Sequence, residues 1–270
     1  MIKINFEDKE AKQFDSGICA EDVVKETYGR KSGAVAVLIE EKEYDLSHKL
    51  LKDCKIDLIK ADSDEGLYIL RHSCAHLLAQ AVTELFPKAK PTIGPPVDDG
   101  FYYDFYMDPI NDDDLKKIEK KMKEMVKQNI SIIREEHDNN TLRKIFSENQ
   151  FKIEIIDDKL GQKNGSSAYK QADFIDLCKG PHVSSTSKLQ WFKLTSTSQA
   201  YWRADSNRES LVRIYGMCYA SKNDLKEREK QLREAALRDH KKIGKEMELY
   251  MINELIGKGL PIWLPNGEIL

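Results

Sequence analysis

Apolar and polar residues alternate at the start of the chain, where Ile2, Ile4 and Phe6 predict a half-buried strand. The pattern then predicts a helix over 20–28 that ends at Gly29, a hairpin with strands over 34–39 and 43–46, and a last strand over 56–59. Strands arranged around one short helix are typical of a small β-grasp domain, which we predict for residues 1–62. This segment shows no catalytic constellation of residues.

The middle of the chain mixes helical and strand patterns. A polar stretch over 62–66 has the composition of a helix N-terminus. Beyond it the pattern predicts helices over 67–86 and 112–129, strands over 131–136 and 151–156, and a loop over 161–167. This succession indicates an α+β fold for residues 63–222.

Residues 223–250 carry interleaved charges of both signs and few apolar positions. They predict a solvent-exposed helix that is stabilised by side-chain pairs three and four residues apart. Its composition favours a connector between domains over a helix that lies along RNA phosphates. The segment 259–267 resembles the entrance to another domain, so we predict that residues 251–270 begin one and that the chain is cut there.

Composition narrows the class of protein further. No stretch of the 270 residues approaches the roughly 18 apolar residues of a spanning helix, and the N-terminus lacks the apolar core of a secretory signal. We therefore expect a cytoplasmic protein. The five scattered cysteines form no CxxC pair and predict no disulfide framework. The net charge of −3 means that any contact with RNA must come from local patches.

Two short motifs could carry chemistry. His72 and His76 are four residues apart, so a helix would project both imidazoles from one face. Cys178 and His182 have the same spacing, with a Gly-Pro turn between them. The four residues could bind zinc in a tetrahedral site, or they could line a hydrolytic pocket in which imidazoles orient a water molecule. Cys178 could also be a nucleophile with His182 as its base, which we rank third, behind zinc.

Several ordered motifs closely resemble the N-terminal half of bacterial-type threonyl-tRNA synthetases. They are HSCAHLL at 72–78, IGP at 93–95, GFYYD at 100–104, DLCKGPH at 176–182, AYWRADSN at 200–207, RIYG at 213–216 and RDHKKIGK at 238–245. The resemblance covers essentially the whole chain. It departs from the family at Lys179, where arginine is usual and bidentate hydrogen bonding is lost, and at Ala204, where glycine is usual.

The resemblance implies a domain layout. Residues 1–62 would be a TGS domain of the β-grasp type, and residues 63–222 an editing domain shared with alanyl-tRNA synthetases. Residues 223–250 would be a linker helix, and residues 251–270 the start of a truncated class II catalytic core. The catalytic zinc site and the ATP-binding motifs would lie beyond Leu270. The resemblance therefore implies no ligase activity for this chain alone, a monomeric fragment and a homodimeric full-length enzyme.

The resemblance also implies roles for individual residues. It makes His72, Lys152, Cys178 and Asp176 catalytic, and His76, His182 and Tyr169 substrate-binding. Editing in bacterial threonyl enzymes is understood to work on water without a tightly held metal. Zinc bound by His72, His76, Cys178 and His182 is the alternative, since alanyl relatives hold zinc with this set.

The implied activity is hydrolysis of mischarged seryl-tRNA(Thr), with the tRNA acceptor end as partner and no membrane involved. One methyl group separates threonine from serine, and one methylene contributes only about 1–3 kcal/mol of discrimination in a pocket. A second, hydrolytic site could admit serine and exclude the larger threonine. Two alternatives remain at this stage, a non-catalytic tRNA-binding module and a zinc-structured module.

Overall fold

The structure is a computed structural model that describes residues 1–160, 165–252 and 260–268. Within it the chain divides into two compact units, Met1–Ala220 and Ser221–Leu270. No helix among the described residues combines the length and the apolar character that crossing a bilayer requires.

The first 60 residues form a mixed five-stranded sheet beside one helix, as the alternating pattern predicts. The elements are β1 (Ile2–Phe6), β2 (Lys12–Phe14), β3 (Ile18–Cys19), α1 (Ala20–Tyr28), β4 (Ala34–Ile39), β5 (Lys42–Asp45), β6 (Lys49–Leu50) and β7 (Cys54–Lys60). The strand order is β2-β1-β7-β4-β5, with β1 and β7 parallel, while β3 pairs with β6. Inward residues of β1, including Ile4, pack on Val23 and Val24 of α1.

The rest of the first unit is built around one long helix. Its elements are α2 (Asp64–Leu85), β8 (Lys90–Pro91), β9 (Pro96–Val97), β10 (Gly100–Tyr106), α3 (Asp112–Gln128), β11 (Ile132–His137), α4 (Asn139–Ile145), α5 (Gln150–Leu160), β12 (Ser166–Gln171), β13 (Phe174–Leu177), β14 (Trp191–Tyr201) and β15 (Ser210–Tyr219), with short 3-10 turns at Thr186–Lys188 and Trp202–Ala204. One sheet has the order β14-β15-β10-β8, with β9 also paired to β10, and a second has the order β11-β12-β13.

Helix α2 begins where the side chain of Ser63 accepts a hydrogen bond from the Gly66 amide, and it ends just before Pro87. Its apolar face, with Cys74, Leu77 and Leu78 fully buried, lies in the main core. Residues of β4 and β7 belong to the same core, so the N-terminal segment and the middle segment share one apolar cluster. The mixed α+β class predicted from the sequence is confirmed.

The strand predicted over 151–156 is wrong, because these residues lie in helix α5. The alternation of apolar and polar residues suggested a strand, but the Asn149 side chain accepts hydrogen bonds from the amides of Phe151 and Lys152. This cap starts a helix and places Phe151 and Ile155 one turn apart in the same apolar cluster. Of the loop predicted over 161–167, residues 161–164 lie outside the described residues, and Ser166 and Ser167 belong to β12.

The second unit differs from the single helix predicted over 223–250. It contains α6 (Lys222–Leu237), α7 (His240–Glu246), β16 (Tyr250–Ile252), β17 (Pro261–Trp263) and α8 (Pro265–Glu268). The helix is interrupted because Asp239 has extended backbone angles and its carboxylate caps the amides of Lys241 and Lys242. Helix α6 has no buried residue, as its charge pattern predicts. Residues 253–259 of the predicted next domain lie outside the described residues.

Candidate active site

Four elements of the first unit bring the predicted site residues together. Helix α2 carries His72 and His76, whose ring centroids are 5.2 Å apart on one face, as the i, i+4 spacing predicts. Helix α5 carries Lys152, and strand β13 carries Asp176. The loop after β13 carries Cys178 and His182. Side chains about 100 residues apart in sequence thus meet.

One side of the site is a buried ionic network, which we call the ion-pair side: Lys152, Asp176, Tyr103 and His76. The Lys152 ammonium forms a salt bridge with Asp176 Oδ1, which also accepts a hydrogen bond from the Leu177 amide at 2.8 Å. Asp176 Oδ2 accepts a hydrogen bond from the Tyr103 hydroxyl at 2.6 Å and lies 3.3 Å from His76 Nδ1. All four side chains are almost completely buried. The carboxylate therefore has donors on both oxygens.

The charges of this network are set by its partners. Burial alone would raise the pKa of Asp176, but the Lys152 ammonium, His76 and the hydrogen bonds hold that pKa below its ordinary value. Burial lowers the pKa of His76 to about 4, although Asp176 acts in the opposite direction. His76 is therefore neutral at pH 7. Because its Nδ1 proton faces Asp176, the lone pair on its Nε2 is free of that contact.

The other side of the site, which we call the thiol side, consists of His72, Cys178 and His182. The Cys178 sulfur lies 3.2 Å from His72 Nε2 and 3.3 Å from His182 Nε2. It also accepts a hydrogen bond from the Gly180 amide at 3.3 Å. The ring centroids of His72 and His182 are 4.4 Å apart. The CxxxH and HxxxH motifs therefore form one cluster, as predicted.

Ser73 determines which nitrogen of His182 carries the proton. Its hydroxyl donates to the Ile69 carbonyl at 2.8 Å, so its oxygen can only accept from its other neighbours. These are the Val183 amide at 3.1 Å and His182 Nδ1 at 3.0 Å. His182 therefore carries its proton on Nδ1, and its Nε2 lone pair faces Cys178.

Burial keeps the thiol side uncharged. It raises the pKa of the Cys178 thiol to about 12, an effect that the Gly180 hydrogen bond only partly offsets. It lowers the pKa of His72 to about 3, with a further contribution from His76, and lowers that of His182 well below its ordinary value. A neutral thiol is a poor nucleophile. These values favour the ranking of covalent catalysis below water activation.

The two histidines of α2 together with Cys178 and His182 have the chemistry of a zinc site. The ligand atoms of His72, His76, Cys178 and His182 all lie within 4.8 Å of one another. Three imidazoles and one sulfur suit tetrahedral zinc, and two of the imidazoles are oriented by outer partners, Asp176 and Ser73. The set could therefore hold zinc, which would supply a Lewis acid next to the cavity.

A cavity of about 330 Å³ opens above these residues. Its polar wall includes His72, His76, Lys152, Asp176 and Cys178. Its apolar wall and mouth are formed by Tyr68, Ile93, Pro95, Pro96 and Ile155. A cavity of this size suits a small ligand, and it places one end of that ligand against the imidazoles and the Lys152 ammonium.

Two residues predicted to bind the substrate lie behind this wall. His182 and Tyr169 are 1% exposed, and neither is among the lining residues. The Tyr169 ring contacts the His182 ring, with centroids 4.3 Å apart. Their predicted role in holding the substrate stays a prediction, and in this geometry it would act through neighbours.

Three site residues were missed by reasoning from the sequence. Tyr103 lies between Phe101 and Phe105 on one face of β10, so the three aromatic residues at alternate positions were a usable signal. Ser73 is hidden among the apolar residues of α2. Asp45 belongs to the N-terminal sheet, and no local pattern in the sequence connects it with the site.

Comparison with known proteins agrees with this geometry. The family described as threonyl and alanyl tRNA synthetase second additional domain matches residues 167–215, which include Tyr169, Asp176, Cys178 and His182. Threonine–tRNA ligases of Staphylococcus carnosus and Staphylococcus saprophyticus are each 44% identical over 271 aligned residues, and that of Staphylococcus aureus is 43% identical. The chain is related over its whole length to threonine–tRNA ligases.

The resemblance to threonyl-tRNA synthetases that the motifs indicate is therefore confirmed. All of this chain aligns with these three threonine–tRNA ligases, but it spans 42% of the length of each. The matched additional domain contains β13 and the loop that carries Cys178 and His182. The histidines of α2 and Lys152 of α5 lie outside the matched residues and join the site through the fold.

Proposed function

We propose that this protein hydrolyses the ester bond of mischarged seryl-tRNA(Thr), and so removes serine from a tRNA that should carry threonine. One observation supports the proposal most strongly. A small cavity places neutral imidazoles and a buried Lys152–Asp176 ion pair on one wall, next to a cavity mouth that is open to a larger ligand. The relation to threonine–tRNA ligases supplies the substrate class.

The proposed reaction needs a base near water and a positive charge near the ester carbonyl. His72 and His76 line the cavity and are neutral, so either can orient an attacking water and pass its proton on to the leaving ribose oxygen of the ester. The Lys152 ammonium would stabilise the oxyanion of the tetrahedral intermediate. Asp176, whose oxygens lie close to four donor groups, would hold Lys152 and His76 in place. Cys178 would form part of the wall that places water or the seryl amine.

The size of the cavity would supply the specificity. A wall against the serine side chain would clash with the extra methyl group of threonine. Binding of the amino acid alone separates threonine from serine by only about 1–3 kcal/mol. The threonyl ester would then survive while the seryl ester is hydrolysed.

The domain limits predicted from the sequence are part of this proposal. Residues 1–62 would be a TGS domain of the β-grasp type, and residues 63–222 the editing domain. Residues 223–250 would serve as a linker despite the break at Asp239, and residues 251–270 would begin the catalytic core. The acceptor end of tRNA(Thr) would be the partner.

The proposal is tested by incubating the purified protein with seryl-tRNA(Thr) and, separately, with threonyl-tRNA(Thr). We expect release of serine only, and a loss of release of about 100-fold or more in His72→Ala and in Lys152→Ala. His137→Ala is the matched control, because His137 pairs with Glu135 outside the site. Undiminished hydrolysis in both site variants would refute the proposal.

A second candidate, a zinc-structured module that binds tRNA without hydrolysis, is favoured by the ligand geometry of the four-residue cluster. Metal analysis and a chelator distinguish the two. Loss of folding on chelation, with no serine release at any metal content, would support the structural zinc site. Serine release that persists in chelator supports hydrolysis without metal, and release that zinc restores supports a zinc-dependent hydrolase.

A further inference from the structure

One asparagine connects the helix of Lys152 with another part of the cavity wall. Asn149 immediately precedes α5, and its side-chain oxygen accepts hydrogen bonds from the amides of Phe151 and Lys152 at 3.2 and 3.4 Å. Its side-chain nitrogen donates to the backbone carbonyl of Pro91 at 2.8 Å. The same side chain therefore starts the helix and binds strand β8.

The five residues that follow Pro91 form what we call the 92–96 wall. All five line the cavity. The backbone amide and the hydroxyl of Thr92 both donate to the Asp104 carbonyl at 2.9 Å, which attaches the start of this wall to β10. The Pro91–Thr92 peptide is thus held on both sides, through its carbonyl by Asn149 and through its amide by β10.

The 92–96 wall also lies against a side chain that binds Lys152. A Cβ atom on Gly94 would be 2.1 Å from the ring of Tyr103, so the backbone approaches that ring more closely than any other residue would allow. The Tyr103 hydroxyl accepts a hydrogen bond from the Lys152 ammonium at 3.1 Å. The wall and Lys152 are therefore connected through two side chains, Tyr103 and Asn149.

The rest of α5 is held by other contacts. Phe151 is fully buried, and its ring contacts those of Tyr106 and Trp202, with centroids 5.5 and 5.1 Å away. The Glu154 carboxylate accepts a hydrogen bond from the Trp202 indole at 3.0 Å. These contacts hold the body of the helix, and Asn149 holds its first turn against β8.

We propose that Asn149 is a positioning residue of the hydrolytic site, and that the spacing it fixes between Lys152 and the 92–96 wall separates a seryl from a threonyl ester. The ester carbonyl and the side chain of an amino acid are joined through one Cα atom. A fixed distance from Lys152 to the wall therefore limits the room for that side chain. The role in specificity rests on the function proposed above, whereas the fixed spacing does not.

Asparagine suits this position better than the other residues that cap helices well. Serine, threonine, aspartate and asparagine all accept amide hydrogen bonds at the start of a helix. Two of the groups that face Asn149 are amides, which donate, and the third is a carbonyl, which accepts. Asparagine offers an acceptor and a donor on separate atoms, whereas a carboxylate only accepts. Aspartate would therefore keep the cap and lose the bond to Pro91.

The test compares Asn149→Asp with Asn149→Ala. Aspartate keeps the helix cap and removes the bond to the wall, while alanine removes both. Asn111→Asp and Asn111→Ala are the matched controls, because the Asn111 side chain caps α3 in the same way. Among the described residues that line the cavity, none comes from α3.

Hydrogen exchange of two amides, followed by NMR on the full chain, measures the two bonds separately. The Phe151 amide reports the cap, and the Thr92 amide reports the peptide that Asn149 binds. In Asn149→Asp we expect the Thr92 amide to exchange about threefold faster or more, and the Phe151 amide to stay close to wild type. In Asn149→Ala both should exchange faster. The Asn111 variants should change neither.

The second measurement is the ratio of kcat/KM for seryl-tRNA(Thr) to that for threonyl-tRNA(Thr). We expect this ratio to fall by about tenfold in both Asn149 variants, because a wall that can move admits the extra methyl group of threonine. The Asn111 variants should keep the ratio of the wild type. A loss of stability alone would remove active enzyme for both substrates equally and leave the ratio unchanged.

Unchanged exchange of the Thr92 amide in a folded Asn149→Asp protein would overturn the fixed spacing, and an unchanged ratio for the two substrates would overturn the role in specificity. If Asn149→Ala does not fold, Asn149→Asp decides both points, because it keeps the cap. A wild-type protein that releases no serine refutes the proposed function, while the exchange of the Thr92 amide still decides the spacing.

Discussion

The two sides of the candidate site are built differently. On the ion-pair side, Asp176 receives donors on both oxygens, and the histidine of this side, His76, has its Nδ1 at 3.3 Å from Asp176 Oδ2. On the thiol side, His72 is one helical turn away on the same helix, yet its buried Nδ1 has no hydrogen-bond partner among the described residues. Two histidines with the same motif and the same helix therefore have different surroundings.

This difference suggests that the two sides have different roles. A fully paired buried network costs much to disturb and is suited to holding charges in place. A side chain with an unpaired polar atom next to a cavity can form new contacts when a ligand or a water molecule arrives. The ion-pair side would then stabilise the developing charge and hold its side chains in position, and His72 would contact the substrate. The predictions that follow are ordered by their expected effect on the free energy of unfolding.

The largest effect is expected for Lys152→Met. It leaves the Asp176 carboxylate buried without its cation, and breaking a buried pair in this way costs about 3–5 kcal/mol. Urea unfolding followed by circular dichroism measures the loss. The double variant Lys152→Met/Asp176→Leu removes both charges and should recover part of the stability. A single variant that loses less than about 1 kcal/mol would show that the pair is not buried as described.

Ser73→Ala should have the next largest effect. It leaves the Val183 amide and His182 Nδ1 without their acceptor, at an expected cost of about 1–3 kcal/mol. The matched control is Thr83→Ala on the same helix, whose hydroxyl donates only to the carbonyls of Ala79 and Gln80. Urea unfolding compares the two variants. Equal losses in the two variants would contradict the assigned role of Ser73.

Residues such as Ser73 also show how far the sequence could predict the site. The HxxxH and CxxxH spacings are local, so the two motifs could be read directly, and their meeting was a reasonable inference from the few histidines of the chain. Lys152 was found only through the family resemblance, and its element was predicted wrongly because F-K-I-E-I alternates like a strand. The helix cap at Asn149 makes that segment helical, but in the sequence a single capping residue is a weaker signal than the alternation of apolar and polar residues.

Asp45 and Tyr103 required the fold itself. Asp45 lies at the end of a strand whose pattern predicts only a hairpin, and its two partners, the His182 amide and the Tyr169 hydroxyl, are distant in sequence. A contact of that kind depends on how two sheets pack on α2, which periodicity does not encode. The mixed class and most elements of the first unit follow from local pattern, while the connection between the N-terminal sheet and the site does not.

The smallest effect on stability, and the sharpest separation of the two sides, is expected for His72→Asn measured against His76→Asn. His76→Asn loses the contact with the Asp176 carboxylate and should cost about 1.5–3 kcal/mol. His72→Asn loses one polar contact, with the Cys178 sulfur, because Nδ1 has no hydrogen-bond partner to lose, and the loss of that polar contact should cost less than about 1 kcal/mol. If His72 is the residue that orients the attacking water, His72→Asn should be the more stable of the two variants and yet the inactive one. We expect its deacylation of seryl-tRNA(Thr) to be slower than that of the wild type by about 100-fold or more. Unfolding in urea and single-turnover deacylation on the same samples give both numbers. A His72→Asn protein that keeps its hydrolysis, beside a His76→Asn protein that loses it, would move the proton acceptor from the thiol side to the ion-pair side.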